Sequence, residues 1–351
     1  MTKDSIRWKL RLAACLTAVI AVASGCGRGD AVRVSETRRL MGVPWTVTLY
    51  ASTEAMGRAA AAAAFAEVER LNGVLSDYDE TSELSRLSAA APTVAPVEVS
   101  DDLWQVLERS VSIRDRTGGA FDPTVGPLTT LWRQSRRSGA LPRPDKLAAA
   151  RAAVGPEKLV LDRDRQAAKL MASGMRLDLG GIGMGYAIDK ALEVLRNRSI
   201  AAAMVDASGD IGVSGPPPGS AGWRIEVAPL DPTSARATRE TLETLVLANA
   251  AVTTSGDARQ GVEIDGIRYS HIVNPRTGVG VVGPAAVTVI AADCSTADAL
   301  ATAASVLGPE EGLKVVAAEP GAAARFVWLE AGSPRETRSP RWPSQSPQTA
   351  E

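Results

Sequence analysis

The sequence predicts a globular protein that mixes α-helices and β-strands, in one large domain or two closely joined ones. Its 351 residues are 45% apolar and 23% charged, which is enough apolar chain for a sizeable core. Apolar residues recur at helical spacing in some segments and alternate with polar residues in others. Turn residues between neighbouring strands indicate hairpins, and no internal repeat is found.

The first 26 residues have the pattern of an export signal. A basic start precedes an apolar stretch over residues 12–22, and small residues then lead to Cys26. This resembles a bacterial lipobox with Ala23 where leucine is common, so we expect a signal peptide over residues 1–26 and a lipid anchor at Cys26. The protein is then an exported, membrane-anchored bacterial lipoprotein facing the periplasm or cell exterior. An ordinary cleaved signal and an uncleaved anchor are the alternatives.

Net charge and cysteine content narrow the class of protein further. The net charge of −1 argues against a nucleic-acid partner, because binding to phosphates requires a basic surface. Two of the three cysteines, Cys15 and Cys26, lie in the leader, so the mature domain holds no internal disulfide. We interpret the third, Cys294, as a small buried apolar residue.

The chain divides into a linker at residues 27–40, a folded domain at 41–330 and a disordered tail at 331–351. Asp265-Gly266 is a strong type I′ hairpin signal within the domain. The expected helices are at 53–72, 100–118, 145–154, from Tyr186 onward, 295–308 and 310–318. The expected strands are at 41–50, 158–162, 166–171, 201–205, 223–227, 245–247, 251–257, 262–264, 267–269, 286–291 and 325–329.

A glycine-rich loop is the most unusual stretch of the sequence. Residues 175–179 alternate and predict a short strand with Asp178 facing away from the core, and four glycines follow at 180–185. These glycines let the backbone approach a ligand closely, at the N-terminus of a helix, where anions bind. A tight packing turn is the alternative. A Rossmann loop does not fit, because its third glycine would fall at Tyr186.

Three other segments carry residues suited to a functional site. Phe121 and Asp122 lie on a loop, because prolines and a glycine exclude a helix there. Tyr78 lies in a polar, turn-rich segment, and His271, the only histidine, lies at a strand end. A hydrophobic plug with an Asp-Pro turn, a surface loop and a structural histidine are the respective alternatives.

Asp298 and Thr302 are four residues apart in a predicted helix, so their side chains lie on one face. Two oxygen donors placed in this way could share a Mg²⁺ ion. The alternative is a capping box formed by Ser295 and Asp298, in which the carboxylate serves the start of the helix.

Seven segments together resemble the FAD:protein FMN transferases, the ApbE-like lipoproteins. The resemblance runs from about Met41 to Leu329, nearly the whole mature chain. In order, the segments are MGVPW, LSDYDETSELSRL, GGAFDPTVGPL, LDLGGIGMGYAID, AVTTSGD, HIVNPRTG and STADALATAASVLG.

The resemblance implies a two-lobed α+β fold with mostly antiparallel sheets and flanking helices. It also implies FAD between the lobes, with Mg²⁺ at its pyrophosphate. Carried over residue by residue, it implies Mg²⁺ ligands at Asp298, Thr302 and the Gly181 carbonyl. Met184 stands where the family commonly has a lysine near FAD. Further nucleotide contacts are implied for Met41, Tyr78, Ala120, Phe121, Asp122, Asp178 and His271.

The implied reaction is the transfer of FMN from FAD to a threonine or serine hydroxyl of a client flavoprotein, with release of AMP. His271 and Asp298 are the expected catalytic residues, His271 through the phosphate or the proton of the hydroxyl. Two other functions stay open. One is a Mg²⁺-dependent FAD pyrophosphatase that gives FMN and AMP, and the other is a non-catalytic FAD-binding lipoprotein.

Overall fold

The computed structural model describes residues 31–227, 243–256, 261–330 and 332–343, so the predicted signal peptide and Cys26 lie outside it. Within these ranges the helices are Glu54–Leu75 (α1), Glu83–Ala89 (α2), Asp101–Arg116 (α3), Gly126–Ser138 (α4), Pro144–Ala152 (α5), Gly183–Asn197 (α6), Cys294–Leu307 (α7) and Pro309–Ala318 (α8). The strands are Val32–Leu40 (β1), Val43–Ala51 (β2), Val97–Glu98 (β3), Leu159–Asp162 (β4), Ala167–Leu170 (β5), Ala203–Ala207 (β6), Asp210–Val213 (β7), Trp223–Val227 (β8), Glu243–Leu247 (β9), Ala250–Gly256 (β10), Val262–Ile264 (β11), Ile267–Val273 (β12), Gly280–Val282 (β13), Ala285–Ala291 (β14), Ala323–Glu330 (β15) and Ser333–Arg338 (β16).

An eight-stranded sheet organises the fold, in the order β1-β2-β6-β7-β10-β14-β15-β16. Strand pairs in the described residues are all antiparallel. Helices α1, α6 and α7 pack on one face, where alternate residues of β2 such as Trp45 and Leu49 meet Phe65 and Leu71 of α1. The predicted α+β class with antiparallel sheets is therefore confirmed.

The opposite face of the large sheet is covered by the β8-β9 hairpin. Trp223 and Ile225 of β8 pack with Val213, Val252 and other residues that point away from the helices. Because side chains alternate across a strand, one sheet serves two separate apolar cores.

A third core attaches the small β11-β12-β13 sheet to α4. Trp132 of α4 is fully buried beside Tyr269 of β12, with ring centroids 5.4 Å apart. Its indole N–H donates to the Ser270 carbonyl at 2.9 Å. This anchor holds the strand segment that carries His271 close to α4.

Most predicted elements are found. The hairpin at Asp265-Gly266 is confirmed, with φ of 52° and 74° at these two residues, as a type I′ turn requires. The helices expected at 53–72 and 100–118 correspond to α1 and α3, capped by Thr53 and Ser100. Helix α4 was not among the predicted elements. No helix in the described ranges is long and apolar enough to cross a membrane.

Regular structure extends beyond both ends of the predicted domain. The expected linker at 27–40 contains β1, which pairs with β2 along its whole length. Its sequence is polar because β1 is an edge strand on which only Val34 is buried. The expected disordered tail contains β16 and Trp342, whose indole N–H donates to the buried Glu243 carboxylate at 2.9 Å.

The strand predicted at residues 175–179 is wrong. Leu177 and Leu179 are buried as expected, but the segment joins no sheet. The Leu177 N–H donates to the Ser88 hydroxyl, and the Asp178 N–H donates to the Pro123 carbonyl. The alternation of apolar residues correctly predicted which side chains are buried. In place of the hydrogen-bond ladder of a sheet, the backbone of this segment makes single hydrogen bonds.

Candidate functional site

A cleft of about 780 Å³ brings the predicted site residues together. This volume lies within the range of small-molecule sites. Its walls come from the end of α1, the following loop, α4, the glycine loop at residues 180–185, β12 and α7. The predicted residues that line it are Met41, Tyr78, Ala120, Phe121, Asp122, Asp178, Gly181, Met184, His271 and Thr302.

The glycine loop packs tightly against α7. A Cβ atom on Gly181 would lie 2.8 Å from Thr302 Oγ1 and 3.3 Å from Phe121 Cε2. A Cβ atom on Gly185 would lie 2.4 Å from the Cys294 carbonyl oxygen. The loop therefore needs glycine at these positions for tight packing against α7, which the sequence analysis gave as the alternative, and the approach of its backbone to a ligand stays a prediction.

Asp298 lies behind the cleft wall, one helical turn before Thr302. It is 6% exposed, and its Oδ2 accepts a hydrogen bond from the Gly185 N–H at 3.3 Å. Burial raises its pKa well above the usual range, and the nearby carboxylates of Asp210 and Asp189 add to this effect. A cation at this position would relieve the cost of the buried charge.

The alternative role of Asp298 in a capping box is wrong. The N-cap of α7 is Asp293, whose carboxylate accepts from the Thr296 N–H at 2.9 Å. The N–H groups of Cys294 and Ser295 both donate to Asp189 on α6. Because other acids satisfy the start of α7, the Asp298 carboxylate is available to the glycine loop and the cleft.

Two packing contacts, of Gly181 with Thr302 and of Gly185 with Asp298, bring together the segments that carry the predicted magnesium ligands. Asp298, Thr302 and the Gly181 carbonyl offer a carboxylate, a hydroxyl and a carbonyl oxygen, which are donor types that Mg²⁺ prefers. In the described part of the chain, no three His, Cys, Asp or Glu side chains are grouped as metal ligands. The predicted set is of a different kind, since it needs only one carboxylate.

Asp122 has the local role that the alternative interpretation assigned to it. Its Oδ1 accepts from the backbone N–H and the hydroxyl of Thr124, at 2.8 and 2.7 Å. Burial raises its pKa, and these hydrogen bonds counteract the rise. The turn it forms holds Phe121, which is 4% exposed, in the cleft wall.

Asp178 lines the cleft and bonds to residues of the glycine loop and of α4. Its Oδ1 accepts from the Gly180 N–H at 2.8 Å, and its Oδ2 accepts from the Thr129 hydroxyl at 2.6 Å and from Arg133 at 3.2 Å. A carboxylate offers about four acceptor positions, so most of them are already used. Asp178 joins the glycine loop to α4.

Arg133 and Tyr78 form the opposite wall. The Arg133 guanidinium lies 4.2 Å from the centre of the Tyr78 ring and donates to Asp77 Oδ2 at 2.5 Å. Burial and the Asp178 charge raise the pKa of Asp77, while Arg133 lowers it. Tyr78 itself is 76% exposed, so its ring is available to a ligand.

His271, Met41 and Met184 complete the cleft. His271 is half-buried in β12, directly after the residue that Trp132 anchors. Met41 lies in the turn between β1 and β2, with a left-handed φ of 47°. Met184 lies in the first turn of α6, whose N-cap Ile182 provides no capping side chain.

Comparison with known proteins assigns the chain to a family. The sequence model of the ApbE family matches residues 41–326. The chain belongs to the ApbE family. A relative named FAD:protein FMN transferase from Treponema pallidum is 30% identical over 345 residues, covering 93% of each chain. Another of that name from Haemophilus influenzae is 32% identical over 250 residues, covering 70% of this chain and 71% of the relative.

Solved structures of ApbE proteins have the same fold. The flavin transferase ApbE from Vibrio cholerae superposes with a TM-score of 0.79 and 29% identity, covering 88% of this chain and 98% of the other. The ApbE protein from Thermotoga maritima gives a TM-score of 0.75 with 28% identity, covering 88% and 97%. The predicted family is therefore confirmed.

Within this ApbE fold, the sequence analysis missed the contribution of α4. Thr129, Arg133 and Arg136 all line the cleft from that helix. Their spacing of four and then three residues places them on one helical face, which was the signal that could have identified them. Asp77, next to Tyr78, was missed as well.

Proposed function

We propose that this protein is a Mg²⁺-dependent FAD:protein FMN transferase. It moves the FMN moiety of FAD to a threonine or serine hydroxyl of a client flavoprotein and releases AMP. Family membership and the names of the relatives support the reaction class. The observation that carries the proposal is the junction of the glycine loop with α7, where Gly181 meets Thr302 and Gly185 meets Asp298 beside the cleft.

The proposed chemistry is a phosphoryl transfer. The acceptor oxygen forms a bond to the FMN phosphorus, the bond from that phosphorus to the bridging oxygen breaks, and AMP leaves with this oxygen. Such reactions depend mainly on in-line positioning and neutralisation of charge. Mg²⁺ held by Asp298, Thr302 and the Gly181 carbonyl would neutralise charge at the pyrophosphate.

The remaining residues of the cleft bind and orient the nucleotide. Tyr78 offers an exposed aromatic face, and the glycine loop allows backbone groups to approach the phosphates. Apolar contacts come from Phe121 and Met184, which line the same cleft. The proposed contacts are Met41, Tyr78, Ala120, Phe121, Asp122, Asp178, Met184 and His271, with Asp122 acting through its turn and the backbone around it.

His271 is the proposed base for the acceptor hydroxyl. It lies in the cleft wall, and an imidazole can take a proton near neutral pH. We expect His271→Ala to lower the transfer rate by about a hundredfold or more, since general bases contribute on this scale. Full transfer activity in this variant would remove the role.

The deciding experiment uses residues 27–351 with FAD and Mg²⁺, with and without a client flavoprotein that carries an acceptor threonine. AMP release is followed together with flavin fluorescence of the client after denaturing electrophoresis. We expect AMP and a covalently fluorescent client to appear together. Release of AMP and free FMN both with and without the client would indicate the pyrophosphatase. FAD that binds but stays intact would indicate the non-catalytic FAD-binding lipoprotein.

The proposed location is a bacterial membrane, with the protein anchored through a lipid-modified Cys26 and facing the periplasm or cell exterior. The support is the leader pattern of residues 1–26, which precedes the first described residues. We expect Cys26→Ala to move the protein from the membrane fraction to the soluble exported fraction. Unchanged membrane association of this variant would contradict a lipid anchor.

A further inference from the structure

Tyr78 presents an aromatic ring whose position is set before any ligand binds. The side chain is 76% exposed at the mouth of the cleft. The Arg133 guanidinium lies 4.2 Å from its ring centre, which is within the range of a cation–π contact. A cation–π contact at an exposed site is modest in strength, so it favours this position of the ring over others before a ligand binds.

Arg133 is itself fixed by two buried carboxylates. Its Nη1 donates to Asp77 Oδ2 at 2.5 Å and its Nη2 donates to Asp178 Oδ2 at 3.2 Å. Asp178 is held in turn by the Thr129 hydroxyl, and the Asp77 carbonyl accepts from Arg176. The guanidinium therefore occupies one position, with two charged partners and a ring at its face.

The charges of the cleft show why this position needs an arginine. Among the described lining residues the cations are Arg133 and Arg136, and the acids are Asp77, Asp79, Asp122 and Asp178. A dinucleotide brings further negative charge at its pyrophosphate. By pairing with Asp77 and Asp178, Arg133 offsets part of the negative charge of these two carboxylates and reduces the repulsion behind the exposed ring surface.

We propose that Arg133 is a positioning residue that holds the Tyr78 ring as a preset stacking surface for a flat ring of the bound nucleotide. The inference rests on the proposed function for the identity of that nucleotide, FAD. Ordering a side chain in advance removes an entropy cost from binding, so the effect falls on FAD affinity. Arg133 acts through Tyr78 and not through the reacting atoms.

The test is a double-mutant cycle on FAD binding in the full chain, with Arg133→Met, Tyr78→Leu and the combined variant. We expect each single change to raise the Kd for FAD about tenfold, the scale of one aromatic contact. In the Tyr78→Leu background, Arg133→Met should change the Kd less than about twofold. Additive losses would overturn the inference, because Arg133 would then contact FAD independently of Tyr78.

Two controls separate positioning from general damage. Arg137→Ala changes an exposed arginine one turn further along α4 that does not line the cleft, and it should leave the Kd unchanged. Arg133→Lys retains the charge without the flat guanidinium and should give a partial loss, with the fold intact by thermal unfolding. A wild-type Kd in Arg133→Lys and Arg133→Met would overturn the inference.

Turnover gives a second readout that a purely structural role would not move. We expect Arg133→Met to raise the KM for FAD about tenfold with kcat little changed, as for loss of uniform binding. Competition with FMN and with ADP shows which flat ring stacks on Tyr78, since only the Kd of the stacking fragment should rise. Wild-type protein that binds FAD without transferring FMN would refute the proposed function and leave this inference standing.

Discussion

The two sides of the cleft treat negative charge in opposite ways. On the α7 side, Asp298 is buried near other carboxylates, with a raised pKa and a backbone N–H from Gly185 as its hydrogen-bond donor. On the α4 side, burial and the Asp178 charge also raise the pKa of Asp77, but Arg133 pairs with both carboxylates and opposes this rise. The α7 side thus holds a buried carboxylate that a metal cation would stabilise, whereas the α4 side offsets part of its charge with an arginine that also orders an aromatic ring.

The largest effect is expected for Asp298→Asn, which tests the contrast between the two sides of the cleft. The amide keeps the size and an acceptor for the Gly185 N–H but removes the charge, so we expect kcat to fall about a thousandfold through loss of metal-assisted catalysis. Because burial disfavours the charged carboxylate, the same change should raise the unfolding temperature without metal at pH 7.5. Transfer rate and thermal unfolding are the two measurements.

A rise in stability with a loss of activity would identify Asp298 as a residue kept for function. Equal losses of stability and activity would mean that the carboxylate serves folding. The contrast between the two sides of the cleft would then disappear. The matched control is Asp77→Asn, which removes a carboxylate that Arg133 already pairs with. That control should lower stability, because it leaves part of a buried ion pair.

The next effect in size is expected for Gly181→Ala. The new Cβ would lie 2.8 Å from Thr302 Oγ1, so the hydroxyl must rotate away from the position proposed for a metal ligand. We expect transfer at limiting Mg²⁺ to fall about tenfold to a hundredfold, with partial recovery at high Mg²⁺. A Mg²⁺ titration of the transfer rate measures this shift.

Gly73→Ala is the control for this substitution. Gly73 lies in α1, and a Cβ added there has no atom within 4 Å. This change should leave activity unchanged and raise stability by about 0.5–1 kcal/mol, as alanine does in a helix. An unchanged Mg²⁺ requirement in Gly181→Ala would show that Thr302 is not a ligand.

A smaller, pH-dependent effect on stability is expected on the α4 side. Arg133→Met removes the cation that opposes the raised pKa of Asp77, so the folded-state pKa of Asp77 should rise further. An acid with a raised folded pKa costs stability as pH rises above its unfolded value near 3.9. We therefore expect the variant to lose about 2 kcal/mol relative to wild type at pH 7.5 and less at pH 4.5.

Urea unfolding at the two pH values measures this difference. Arg137→Ala, on the same helix but exposed, should give no pH-dependent loss. A loss of equal size at both pH values would mean that Arg133 contributes packing and not charge balance.

The contact between the glycine loop and α7 was predictable from the sequence, and the ion pairs of Arg133 on the α4 side were not. Asp298 and Thr302 lie four residues apart on one helical face, and the glycines at 180–185 mark close approach, so local pattern indicated a junction here, while the magnesium ligand set was implied by the family resemblance and stays a prediction. The partners of Arg133 are Asp77 and Asp178, which lie 56 and 45 residues away. No spacing rule reports such a tertiary ion pair, and arginines in a polar helix are usually solvated.

The same limit explains the errors in the fold. The sequence around Ser295 fits a capping box, but in the structure α7 begins after the N-cap Asp293, and the distant Asp189 accepts from the N–H groups of Cys294 and Ser295. Edge strands β1 and β16 bury few side chains, so they lack the alternation by which central strands are recognised. The hairpin at Asp265-Gly266 was predictable because its turn chemistry is local.

The smallest effect is expected for Met184→Lys, which adds a cation to the α7 side of the cleft. Met184 lines the cleft in the first turn of α6, at the position where the resemblance implies a lysine. A lysine would attract the pyrophosphate. Its charge would be unfavourable beside the positive end of the helix dipole, at a cost of a few tenths of a kcal/mol in stability. We therefore expect the KM for FAD to fall only about threefold, with a slight loss of stability and with Met184→Leu as the uncharged control. A fall in this KM of more than about thirtyfold would mean that the α7 side lacks a fixed cation in addition to the metal. The difference in charge between the α7 side and the α4 side would then be larger than the charges of the present residues imply.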